Sequence, residues 1–89
     1  MKYVEWNEEK NKKLKSERGI GFEDVILAIQ EDRLIKTLTH PNKKKYPNQR
    51  IMVIELNSYA YVVPFVEDEE KFFLKTIFPS KKYTKKYLE

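Results

Sequence analysis

The chain contains no cysteine, which removes disulfides, cysteine-ligated zinc and thiol nucleophiles together. It has one histidine, His40, and two glycines, Gly19 and Gly21. That leaves no metal-ligand spacing, no Ser-His-Asp order and no glycine-rich phosphate loop. Apolar runs are short, and none approaches the ~20 residues that a membrane helix needs. The opening "MKYVEWNEEKNKK" lacks the apolar stretch of a signal peptide. These absences predict a cytoplasmic chain with no membrane contact, no metal and no cofactor.

What is present is charge and β-forming residues. The 89 residues are one domain's worth of chain, 40% hydrophobic and 36% charged, with 18 basic and 14 acidic side chains giving +4. That net charge is too small to establish nucleic-acid binding, but its distribution is uneven. Five lysines and no acid lie between Lys75 and Leu88, whereas Glu67-Asp68-Glu69-Glu70 is wholly acidic. Such segregation creates local fields that the net charge hides.

The pattern along the chain predicts an α+β fold: two N-terminal helices on an antiparallel sheet of about four strands, closed by a short C-terminal helix. "KYVEW" reads as a short strand. Asn7 caps a helix running to about Arg18, with Glu8 and Glu9 at its positive end and Gly19 in the left-handed closing position. Leu14 is this helix's one large apolar residue, which predicts shallow packing and exposed Lys10, Lys12, Lys13 and Lys15. In "GFEDVILAIQED", Phe22, Val25, Ile26 and Ile29 form a helical stripe. The period then changes to that of strands: "LIKTLT", "RIMVIEL", "YAYVVPFV" and "KFFLKTIF". Asn57-Ser58 predicts a two-residue hairpin, the acidic run a second turn, and Pro64 an edge or bulge. Pro79 ends the last strand, and Ser80 is placed to cap the final helix.

Four stretches together resemble the BrnT toxins of the RelE/ParE-like group. "VEWNEEKN" is similar to the family's opening, and "ERGIGFEDV" to its helix–glycine–helix junction, commonly "KHGVSFEEA". "QRIMVIEL" brings an arginine into the first strand of the meander, and "IFPSKKYTKKY" stands in place of the closing "ISARKATRRE". The matches keep order and spacing over nearly the whole chain. The resemblance implies a RelE-like fold, RNA cleavage that inhibits translation with or without the ribosome, and neutralisation by a ribbon-helix-helix antitoxin. Two departures stand out: Lys81 replaces an arginine, giving charge without a bidentate fork, and Tyr83 replaces a small residue.

Metal-free RNA cleavage needs a proton acceptor for the 2′-OH and cations for the charge that develops on phosphate. The candidates for that chemistry are Arg50, Lys81, Lys75 and His40. Arg50 reads equally as a rim charge paired with Glu55 or the acidic turn, and Lys75 as a side chain snorkelling at the sheet edge. Lone histidines such as His40 are more often incidental. Lys10, Lys43, Lys44, Lys45, Tyr46, Lys82, Tyr83 and Lys85 are the candidates for RNA contact. A solvated loop and a solvated tail explain the same lysine runs. A non-catalytic toxin or binding module that acts by protein contact is the alternative.

Overall fold

The strand and helix patterns assemble into an α+β fold on a mixed sheet. The computed structural model describes residues 3–40, 42, 44, 45 and 47–89. The elements are β1 (Tyr3–Trp6), α1 (Glu8–Arg18), α2 (Phe22–Gln30), β2 (Leu34–Thr39), β3 (Gln49–Leu56), β4 (Tyr59–Glu67), β5 (Lys71–Leu74), β6 (Phe78–Pro79) and α3 (Lys81–Leu88). The strand order is β1-β5-β4-β3-β2, with β6 also on β4. No described helix is long and apolar enough to cross a membrane.

Two features of the sheet correct the expectation of four antiparallel strands. First, β1 joins β5 in parallel, from Tyr3↔Lys71 to Trp6↔Leu74. A four-residue strand carries no turn signal that names its neighbour, so only the folded chain reveals this pairing. Second, "KFFLKTIF" divides in two. Between the pairs Phe65↔Leu74 and Val62↔Phe78, Val63 and Pro64 on β4 face Lys75, Thr76 and Ile77. The Pro64 carbonyl still accepts from the Lys75 N–H at 2.8 Å. A strand residue directs its N–H and C=O to the same neighbour, so the N–H that proline lacks belongs on this side. The ladder breaks there as a bulge. The hairpin at Asn57-Ser58 forms as its residues require, both with positive φ (55° and 63°).

Alternation puts Met52, Ile54, Leu56, Val63, Phe65 and Leu74 in one core with Leu14, Ile20, Phe22, Val25 and Ala28 of the helical layer. On α2 the buried row is Phe22, Val25 and Ala28. Ile26 is half-buried, and Ile29 at 37% and Leu27 at 47% are exposed. The small Ala28 lets the helix approach β3 closely, and Ile29 instead lines an apolar groove beside it. α3 packs on β4, where the Ala60 N–H donates to Thr84 Oγ1 (2.9 Å) and the Ser80 N–H to the Ala60 carbonyl (2.9 Å).

The first helix departs most from expectation. Its caps are as the sequence indicates: Asn7 Oδ1 accepts from the Lys10 N–H, and Gly19 has φ 71°. Yet Leu14 is only 2% exposed and Asn11 1%. Burying one leucine contributes about 2 kcal/mol, and a helix this short is marginal in water on its own. Asn11 supplies a second attachment. Its Oδ1 accepts from the Phe22 N–H at 2.8 Å, and its Nδ2 donates to both Glu23 carboxylate oxygens at 3.0 Å. Gly21 makes room for this junction, because a Cβ there would stand 2.6 Å from Asn11 Oδ1.

Replacing Asn11 by alanine leaves the buried Phe22 N–H without a partner. The expected loss is about 2 kcal/mol, against about 1 kcal/mol for Asn7→Ala at the exposed cap, both read from urea denaturation. Equal losses would remove the special role of Asn11. The Glu23 carboxyl is held below the usual carboxylate range, first by the Asn11 amide, then by backbone hydrogen bonding, and also by Lys15. A lowered folded-state pKa gives stability that is present above the unfolded pKa and lost as pH falls through the folded one. The advantage of the wild type over Glu23→Gln should therefore shrink on acidification through the carboxylate range; a constant difference would contradict this origin.

Candidate nucleic-acid interface

Side chains alternate across the sheet, and the alternation sorts the candidate residues onto two faces. Ile51 of β3 and Val62 and Pro64 of β4 point away from the α1–α2 layer. With Phe78, Ser80, Lys82, Tyr83 and His40 they line a cavity of about 280 Å³. Two rigid devices bring its polar members together. Ser80 Oγ accepts from the Tyr83 N–H and starts α3, while its backbone N–H is tied to Ala60. His40 continues β2 through its N–H to the Gln49 carbonyl.

No carboxylate lines this cavity among the described residues. The amides of Lys81 and Lys82 precede the first intrahelical partners, so they belong to the positive end of α3. Lys82 Nζ lies 5.4 Å from the centre of the Tyr83 ring, which holds an ammonium against an aromatic surface. Tyr83 stacks on Tyr87 at 5.9 Å, and Lys86 repeats the contact on Tyr87. The two tyrosines therefore share one face of α3, as the i,i+4 spacing indicates. His40 Nδ1 accepts from the Asn42 N–H at 3.0 Å. In the neutral ring that bond puts the proton on Nε2, making it a donor.

A second cluster gathers where β1 and β5 end and α1 begins. Asn7, Glu9, Lys10, Lys13, Phe73 and Lys75 line an open cleft of about 740 Å³. Lys10 and Lys75, candidates on separate segments, meet here. Lys75 Nζ stands 5.3 Å from the centre of the Phe73 ring. Lys13 and Phe73 were not among the sequence candidates. Their signals were nonetheless local: Lys13 is three residues beyond Lys10 on a helix, and Phe73 is two before Lys75 in a strand.

Arg50 is not brought to either cluster. It lies on the opposite face, 3.1 Å from Glu67 and 5.7 Å from the centre of the Phe65 ring. The acidic turn thus supplies its partner. Lys81 and Lys85 are exposed on α3, and Lys44 and Lys45 are exposed in the β2–β3 turn; none of the four lines either cavity. Lys43 and Tyr46 lie outside the described residues. No cluster of metal-ligating side chains occurs among the described residues.

Long-range ¹H–¹⁵N correlation of His40 should show the Nε2–H tautomer, with Nδ1 as the unprotonated nitrogen. An Nδ1–H signature would dissolve the Asn42 bond and the donor role assigned to this ring. Comparison of the chain with family models, curated proteins and solved structures found no match.

Proposed function

We propose that this chain is a toxin of the BrnT kind, with a RelE-like arrangement, that cleaves RNA without a metal at the α3 cavity. The observation that carries the reading is the convergence of His40, Lys82, Tyr83 and the α3 N-terminus in a cavity that no carboxylate lines among the described residues. The resemblance of the opening, junction and closing stretches supports it.

In this reading the scissile phosphate sits at the start of α3. The RNA 2′-oxygen bonds to phosphorus as its proton passes to water, the bond from phosphorus to the 5′-oxygen breaks, and that oxygen takes up a proton from water. Lys82 and the first amides of α3 stabilise the growing charge on the phosphate oxygens. His40 donates a hydrogen bond through Nε2 to the phosphate or the leaving oxygen, stabilising charge there while it keeps its proton. Tyr83 offers its ring to a base. Lys81, exposed in the first turn of α3, adds positive charge to that end of the helix.

The alternative, toxicity through protein contact, has one observation in its favour. On the helix-covered face an apolar groove of about 390 Å³ is lined by Val4, Ile29, Leu34, Met52, Phe65 and Phe72, with Arg50 and Glu67 also in its wall. A groove of this kind suits a protein segment, and a ribbon-helix-helix antitoxin is the partner that the resemblance implies.

Induced expression of the chain alone in a bacterium, with growth and transcript 5′ ends followed together, separates these readings. Growth arrest with new 5′ ends is expected, and Lys82→Ala or His40→Ala should slow cleavage about 100-fold, the effect of losing one positioned donor. Loss of cleavage in a folded Arg50→Ala chain would relocate the site to the opposite face. Arrest with intact RNA would favour the protein-contact reading, and no arrest from a folded chain would overturn toxicity.

A further inference from the structure

The cleft at the start of α1 is separate from the α3 cavity, yet its Phe73 wall lies on the same face of the sheet as that cavity. Phe73 pairs with Val66, and the even-numbered β4 residues Val62, Pro64 and Val66 point the same way as Phe73. Pro64 lines the α3 cavity, and Lys75 lines the α1 cleft. Their backbones are joined by the 2.8 Å bond from the Lys75 N–H to the Pro64 carbonyl. Only the spacing of adjacent strands, about 5 Å, divides the two walls at this point.

The chemistry of the cleft is also distinctive. Among the described residues, Lys10, Lys13 and Lys75 supply three cations against one carboxylate, Glu9. Phe73 is a half-buried aromatic ring with Lys75 Nζ over its face, the place a stacked base would take. Ammonium groups alone suit any polyanion. An aromatic ring among them favours one that also carries flat, stackable groups, which is a single-stranded nucleic acid.

We infer that the Lys10–Lys13–Phe73–Lys75 cleft is a second nucleotide subsite, which binds single-stranded RNA on the side of the strand running away from the α3 cavity. A base stacks on Phe73, and neighbouring phosphates lie against Lys10, Lys13 and Lys75. The bulge at residues 75–77 is what carries the strand from one subsite to the other. This deepens the proposed function and rests on it, because the shared face defines a substrate longer than one nucleotide.

Fluorescence anisotropy with 2′-O-methyl oligouridylates of two, four and six nucleotides tests the subsite without cleavage. Wild-type affinity should rise with length, and Phe73→Leu should flatten that rise, weakening the hexamer about tenfold. In the triple variant K10Q/K13Q/K75Q the slope of log affinity against log salt should fall by about 2, at roughly 0.7 per lost contact. Lys12→Gln removes an equal charge from the exposed surface of α1 and serves as the control for charge alone. The lysine variants keep the question answerable if Phe73→Leu does not fold.

Hexamer binding that depends on Lys82 but on neither Phe73 nor the three lysines would overturn this subsite and leave the proposed function standing. No binding of any oligonucleotide would overturn both. Polyglutamate bound as tightly as oligouridylate, with no dependence on Phe73, would assign the lysines to an acidic protein and overturn the RNA subsite.

Discussion

The amide of Asn11 is the interaction on which the placement of the helical layer depends. One side chain accepts from the first amide of α2 and donates to the Glu23 carboxylate beside it. A buried amide with both ends occupied avoids the cost of a lone polar group and fixes orientation more narrowly than a leucine does. With α1 set at that angle, Leu14 enters the core and Lys10 and Lys13 come to the end of β5. A helix with one apolar side chain is thereby able to hold three of the residues in the candidate cleft.

On the other side of the molecule, β4 does the equivalent organising. It pairs with β3 from Tyr59 to Val66 and with β5 and β6 on its opposite edge. Pro64 interrupts the second ladder but not the first. The interruption lets the chain swing from Lys75 to Phe78 and start α3 over the sheet. Thr84 and Ser80 then lock that helix to Ala60 through hydrogen bonds, a firmer attachment than the half-buried tyrosines provide alone.

The two faces of the sheet consequently differ in character. One carries the core, the apolar groove and the Arg50–Glu67 pair, where charges are matched. The other carries His40, Lys75 and Lys82 beside aromatic rings, with Glu9 the one carboxylate among the described residues lining the two cavities. The acidic turn supplies the partner of the arginine on its own face.

Local chemistry was legible in the residues themselves. The Asn7 and Ser80 caps, the left-handed Gly19, the Asn57-Ser58 hairpin and the break at Pro64 each depend on a few neighbouring atoms, so short stretches determined them. So did the shared face of Tyr83 and Tyr87. The partner of β1, the depth of α1 and the company each candidate keeps depend on contacts between distant segments, which no short stretch encodes. Arg50 and Lys75 look alike as basic residues near strand ends, yet one is paired on the core side and the other lines a basic cleft. Side-chain parity in the assembled sheet decided that difference, and parity acquires a meaning only once the helices have chosen a face.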